Sequence, residues 1–538
     1  MATFTSAASG NWNATGQTTW NEVGYPVAGD TVTIQAGHVV TLVQDEACAS
    51  LTIDATGELD MDVYALANSG STVVNGTLTI GISAGAGLST HGWIVNSGAT
   101  VNMQTESVIN LYPGTVDIHP SATWALAPAG SYIIHSGTID WDGLAYVQRP
   151  YKFSQNDGSV INLSKNAYFG NGGMHSNILN GVINVGSHIL HIGGKNVFTV
   201  GANCDLTGTG DVRFRIDAGA TITWNCTTSF SHTGKMQFVG RASPGNAIPA
   251  ADFSNSNVVI LQYSGSLPRK IVISDVQCGG LYCKSFLLEA ASSSVVEELI
   301  IDNSANCDIN ISGDLDWTDA VATYDVTYIA GTGTMTFTGT SGTQTINSNG
   351  VALGNIVIDA AGAIKQLTAG VTMGNLTLTA GSFDFNGQTV NISGDYTHAL
   401  GATLVQDNLT GAVITVTGNM TWTADASNVI AAESPGAWTL TVNGATATTS
   451  WTKFANCDAS GGTTIQATSS YDAGGNTNIN FIDPEIGQHF LNGDVAEIIV
   501  FDHVLTDSDR QKIEGYLAHK WGLTANLPAD HPYKVVAP

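Results

Sequence analysis

Val32-Thr33-Ile34, Val39-Val40-Thr41-Leu42, Leu51-Thr52-Ile53, Val73-Val74, Leu78-Thr79-Ile80, Val101-Asn102-Met103 and Val108-Ile109-Asn110-Leu111 follow one another with only a few residues between them. β-Branched residues at period two, closed each time by Gly, Asn or Asp, predict short half-buried strands separated by tight turns. The rhythm returns far downstream in Met335-Thr336-Phe337, Thr345-Ile346, Ile356-Val357-Ile358, Leu376-Thr377-Leu378, Val390-Asn391-Ile392 and Val413-Ile414-Thr415-Val416. So short a period suits an all-β chain wound as a right-handed parallel β-helix, in which each coil supplies a few strands to one shared interior.

Composition agrees with that expectation. The 538 residues include 61 glycines and 13 prolines, are 43% hydrophobic and only 11% charged. That is enough apolar, β-branched content to build a core, which excludes a disordered chain. The glycines show no three-residue period, which excludes collagen. A solenoid lengthens without thickening its core, so the chain length does not demand several globules.

With 44 acids against 17 bases the net charge is −27, and the densest arginine pair is Arg213-Phe214-Arg215. Nucleic acid is therefore not an expected partner, because phosphate binding needs clustered Lys and Arg. Seven dispersed cysteines (Cys48, Cys204, Cys226, Cys278, Cys283, Cys307 and Cys457) do not form a disulfide framework. They read as small buried hydrophobes in a chain made in a reducing compartment. Met1–Gly10 has neither a basic n-region nor an apolar h-region, and no stretch reaches the length of a membrane span. The Asn-x-Ser/Thr triplets at Asn75, Asn225, Asn375 and Asn419 read as ladder and turn residues rather than glycosylation acceptors.

Four segments are expected. Residues 1–28 carry Trp12 and Trp20 and form an N-terminal cap over the first coil. Residues 29–241 are β-helix with a side groove towards their end, where Trp141, Tyr146, Arg149, Tyr151, Tyr168, His175, His188 and His191 gather. Residues 242–483 continue the β-rich region, including the stretch 326–358, which has no charged residue. Residues 484–538 change character, with eight acidic and four basic residues. There Val495–Phe501 predicts a strand, and Thr506-Asp507-Ser508-Asp509 resembles a capping box opening a helix that Gly522 stops. Ile513, Tyr516, Leu517 and Trp521 form an apolar stripe on that helix, the expected assembly contact of a strand-helix cap.

Asn492–Leu523 resembles the ending of concanavalin A-like (laminin G-like) jelly-roll modules, which recur in large surface and virion proteins of environmental bacteria and their phages. The likeness covers well under a tenth of the chain, and the residues before it read as solenoid rather than jelly roll. It implies the strand-helix cap, and neither a sugar nor a calcium site. Ser341–Gly350, Leu376–Asn386 and Tyr471–Phe481 are similar to right-handed β-helix segments of phage tail and adhesin-like proteins. Together these resemblances imply a virion surface protein assembled in the host cytoplasm, homo-oligomeric and in contact with other virion proteins.

The function expected is non-enzymatic: a tail fibre, spike or head-surface appendage giving multivalent adhesion to glycans. Trp141, Tyr146, Arg149 and Tyr151 are the candidate glycan-facing residues, since sugars stack on aromatic faces and hydrogen-bond to guanidinium groups. A depolymerase on the same coils is the alternative, and its acid and base would be Asp140 and Asp142, two apart on one strand face. A purely architectural capsid decoration protein and a bacterial adhesin are the other readings. No cofactor or metal is expected. His188 and His191 would face opposite sides of a strand, and Asp314-Leu315-Asp316-Trp317-Thr318-Asp319 lacks the glycine and glutamate of a calcium loop.

Overall fold

The computed structural model describes residues 1–81, 87–103, 108–119, 122–126, 131–134, 137–141, 152–169, 176–194, 197–216, 221–226, 230–239, 241–242, 246–249, 251–262, 269–274, 280–290, 298–318, 325–404, 406–482, 499, 501 and 504–538. The chain divides into two compact units, Met1–Asp483 and Pro484–Pro538.

The larger unit is a parallel β-solenoid. Its first half winds through three sheets of ten, six and nine strands, so successive strands of one sheet come from successive coils. An eighteen-stranded sheet then runs from Ala167–Phe169 to Ile479–Ile482, flanked by smaller sheets. Among the described strands every pairing is parallel except that of Arg241–Ala242 with Arg269–Ser274.

The period-two pattern becomes columns. Val32 pairs in register with Leu51, Leu51 with Thr72, Thr72 with Trp93, and Trp93 with Val116. All five are buried, whereas Thr31, Thr33 and Thr52 between them point outward. Because alternation is strict, a one-residue slip would turn this whole column to solvent, so the apolar pattern fixes the register. Each fully buried Leu, Ile or Val stabilises the stack by about 1.5–3 kcal/mol, and the core continues as one cluster from Phe4 to Ala467. Thr72, the polar member of the column, is satisfied by Asn68 Nδ2 at 2.8 Å and donates to Thr90 Oγ1 at 3.1 Å.

Thr3–Thr5 and Gly10–Asn11 already belong to the sheets, and the chain between Trp12 and Pro26 closes over them. Trp12 and Trp20 are fully buried and packed edge to face at 5.3 Å. Trp20 Nε1 donates to the Trp12 carbonyl, and Trp12 Nε1 to that of Pro26. Six cysteines are buried, Cys48, Cys204, Cys226, Cys283, Cys307 and Cys457, while Cys278 lies outside the described residues. Burial pushes the Cys48 thiol up to about 12 and those of Cys204, Cys283 and Cys457 further, so these groups pack and do not react.

In the smaller unit, helix α1 spans Asp507–Lys520. Thr506 is its N-cap and accepts from the Asp509 amide at 3.2 Å. Gly522, at φ 70°, ends it in the left-handed region that glycine adopts without cost. The expected strand Val495–Phe501 falls almost wholly outside the described residues. No described helix is long and apolar enough to cross a membrane.

Candidate functional site

Strand Gly137–Trp141 sets the first candidate region. Its backbone places Asp140 in register between Thr115 and Asn162, and Trp141 between Val116 and Leu163. Asp142, Tyr146, Arg149 and Tyr151 lie outside the described residues, so the expected acid-base pair and glycan patch have no geometry to report. His175 lies outside them too. His191 belongs to the strand Leu190–Gly194, while His188 sits in the turn before it.

The structure gathers other residues of this region into one column. Tyr168 pairs with His191, His191 with Arg213, and Arg213 with Gln237 on consecutive coils. Arg213 Nε donates to Gln237 Oε1 at 2.7 Å, and Gln237 Nε2 donates to Asp211 Oδ2 at 3.1 Å. A half-buried guanidinium held in a hydrogen-bonded row is a rigid, directional donor suited to hydroxyl or carboxylate groups of a ligand. Its members are more than twenty residues apart in the chain, so only coil register reveals it.

A second column runs along one corner of the later coils. Gly354-Asn355, Gly374-Asn375, Gly394-Asp395 and Gly418-Asn419 lie one above another. Asn355 Oδ1 accepts from the Asn375 amide at 3.1 Å, Asn375 Oδ1 from Asp395 at 2.7 Å, Asp395 Oδ1 from Asn419 at 2.7 Å, and Asn419 Oδ1 from Thr446 at 3.0 Å. The glycines link to one another by backbone bonds of 2.9–3.0 Å. A Cβ on Gly394 would sit 2.0 Å from Asn375 Oδ1, which is why glycine precedes each rung. Asn375 and Asn419 are thus ladder residues, as their triplets suggested. The signal was the dipeptide Gly-Asn or Gly-Asp at intervals of 20, 20 and 24 residues.

Polar groups also enter the core of these coils. Tyr396 and His398 take the inward positions that Leu376 and Leu378 hold one coil earlier. Both are fully buried against Trp422, with ring centroids 5.2 and 5.9 Å away. The Tyr396 hydroxyl, both His398 nitrogens and Trp422 Nε1 make no hydrogen bond of ordinary geometry. Burial therefore pulls His398 from its usual 6.5 down to about 4, which the Ala399 backbone offsets only in part. In the stretch Asp314–Asp319, Asp314 accepts hydrogen bonds from Thr345 and Asp316 from Thr318, while Asp319 lies outside the described residues.

On helix α1 the expected stripe divides. Ile513 and Leu517 are half-buried, whereas Tyr516 and Trp521 are 48% and 44% exposed. Lys520 Nζ lies over both rings, 5.3 and 5.5 Å from their centroids. Gly515 packs against Tyr533, which fills the space a side chain there would need, and His519 Nε2 lies 2.9 Å from the Tyr533 carbonyl. The tail after the helix thus packs on the face opposite to the stripe.

Comparison with known proteins finds no matching family model, no matching curated protein and no matching solved structure.

Proposed function

We propose that the chain is a non-enzymatic structural element of a virion surface, a fibre, spike or head appendage that adheres to glycans through many weak contacts. The observation that carries this reading is the stack itself: coil after coil is bonded to the next through sheet, corner ladder and continuous core. Such a scaffold spends its polar groups on itself and repeats one outer surface along its coils. Recognition then falls to half-buried side chains stacked on consecutive coils, such as His191 and Arg213, where each coil adds a modest contact. Several copies on one particle turn modest contacts into avidity. The net charge of −27 keeps many copies soluble and mutually repelling. The virion setting rests on the resemblances carried by Asn492–Leu523 and by the later coils.

The test is to coat beads with the purified chain at high and at low density and to measure adhesion to bacterial cells with and without their surface polysaccharide. Dense beads are expected to adhere, sparse beads to fail, and removal of the polysaccharide to abolish adhesion. Release of reducing ends from the polysaccharide, lost on Asp140→Asn, would replace this reading with the depolymerase. Density-independent binding of a soluble small sugar would also overturn it.

A further inference from the structure

Five asparagine-glycine pairs lie among the described residues: Asn75-Gly76, Asn180-Gly181, Asn349-Gly350, Asn386-Gly387 and Asn443-Gly444. Such a pair carries the ingredients of a reaction with itself. The glycine has no side chain to shield its amide nitrogen, and the asparagine carboxamide is tethered within reach of that nitrogen. Whether the two can meet is set by what the fold does with each pair.

Four of the pairs are restrained. Asn75 donates Nδ2 to the Ile53 carbonyl at 3.2 Å and accepts on Oδ1 from Asn96 at 2.7 Å, and Gly76 is buried. Asn180 Oδ1 accepts from the Asn203 amide at 3.2 Å, and Gly181 is buried too. Asn386 donates Nδ2 to the Leu367 carbonyl at 2.9 Å, while the Gly387 amide donates to the Asn408 carbonyl at 2.8 Å. The Gly444 amide donates to the Gly418 carbonyl at 3.0 Å.

Asn349-Gly350 differs on each count. Both residues are exposed, and neither the Asn349 side chain nor the Gly350 amide is hydrogen-bonded within the described residues. Asn349 at φ 53° and Gly350 at φ 79° form a type I′ turn, closed by the Val351 amide donating to the Ser348 carbonyl at 3.0 Å. Around Gly350 there is open space, since a Cβ built there would meet nothing within 4 Å. Opening the bond that closes the turn frees the Gly350 nitrogen to swing onto Cγ of Asn349.

We propose that Asn349 is a site of spontaneous covalent modification, where the folded chain converts its amide to an acid far faster than at the other four pairs. Hydroxide from solvent takes the proton of Gly350 N, and that nitrogen attacks Cγ of Asn349 to form a carbon–nitrogen bond in a cyclic imide. The bond from Cγ to Nδ2 breaks, and Nδ2 takes a proton from water and leaves as ammonia. Water then opens the ring. Addition at Cγ gives aspartate, and addition at the main-chain carbonyl gives isoaspartate, in which the backbone runs through the side chain. Water is the only co-reactant, and nothing is oxidised or reduced. The product places a negative charge in the stretch 326–358, which has no charged residue of its own.

The measurement is peptide mapping by mass spectrometry of the full chain kept folded for weeks in mildly alkaline buffer, beside a sample kept unfolded in guanidinium chloride. Unfolded, the five pairs should convert at similar rates, because each asparagine is followed by glycine. Folded, the peptide containing Asn349 should gain the mass of an amide-to-acid change and split into aspartate and isoaspartate forms. It should do so at least about fivefold faster than the other four, each of which must first give up a further hydrogen bond. Asn349→Gly keeps the left-handed turn and removes the carboxamide, so it should erase the gain. A folded rate at Asn349 no greater than at Asn386 or Asn443 would overturn the proposal. So would a gain that persists in Asn349→Gly, which would place the reaction at Asn347 or Asn355 instead.

Discussion

His398→Leu is the substitution that most sharply probes the interior. The wild-type imidazole is fully buried beside Trp422 with neither nitrogen hydrogen-bonded in ordinary geometry, and Leu378 holds the same column position one coil earlier. A neutral imidazole carries one donor and one acceptor, and leaving such a group unpaired in a core costs about 1–3 kcal/mol. Leucine removes that cost and fits the column, so the variant should be more stable at pH 7.5 by roughly that amount. The pH dependence is the sharper test. The folded pKa of about 4 lies below the ordinary 6.5, so the unfolded chain takes up a proton that the folded chain refuses. The contribution is full above pH 6.5 and is lost as pH falls towards 4. At about 1.4 kcal/mol per pH unit, the loss comes to roughly 3 kcal/mol. Urea denaturation of both proteins at pH 7.5 and 4.5 isolates the effect, because every other titrating group is common to the pair. The variant should lose less stability between the two pH values than the wild type, by nearly the whole of this difference. Equal losses in both proteins, or a variant less stable at pH 7.5, would refute the buried, unpaired state of His398.

Two further outcomes follow from packing and charge. Gly394→Ala drives a Cβ to within 2.0 Å of Asn375 Oδ1; it should lower stability by about 1–3 kcal/mol as the rung is forced aside, seen as faster amide exchange at Asp395 and Asn419. Lys270→Met removes the partner, at 2.5 Å, of Asp302, whose side chain is only 8% exposed. Burial raises that carboxyl, but hydrogen bonds from Lys270 and Ser304 outweigh it and hold the pKa below the usual range. The pair's contribution is therefore present above ordinary carboxylate pKa values and disappears as the solution is acidified through the folded value. The variant should be destabilised near neutral pH by about 1–2 kcal/mol, discounted for the half-exposed lysine, and the gap to wild type should close in acid.

Much of the solenoid could be read from the chain. The quoted alternating stretches, from Val32-Thr33-Ile34 to Val413-Ile414-Thr415-Val416, lie in strands apart from Leu42, which follows the strand Val39–Thr41, because β-branched residues at period two carry both conformation and facing. Trp12 and Trp20, two large rings among Ser, Asn and Gly, are fully buried against each other. The coil-to-coil partners were harder. Gln344 and Lys365 are 21 residues apart and Arg213 and Gln237 are 24 apart, and such spacings become neighbours only once the length of each coil is known. Coil lengths vary between rungs, so the column is visible in space before it is visible in sequence. Tyr396 and His398 break the apolar alternation without breaking the strand, which is why pattern reading passes over them. On helix α1 the helical spacing marks one face with Ile513, Tyr516, Leu517 and Trp521, while the approach of Tyr533 to Gly515 on another face leaves no pattern in the sequence.

The central claim is that each coil repeats one structural unit over a shared interior, and excising a single coil tests it most directly. Deleting residues 375–394 removes one 20-residue rung. It would bring Asp395 onto Asn355 Oδ1, and Tyr396 and His398 onto Ile356 and Ile358. Deleting 375–384 alone removes part of a coil and destroys the register. Far-UV circular dichroism of the two purified variants should show native strand content per residue and a cooperative thermal transition for the whole-coil deletion, and an unfolded or aggregated chain for the partial one. If the whole-coil deletion unfolds as completely as the partial one, the stacked repeating interior described here is wrong.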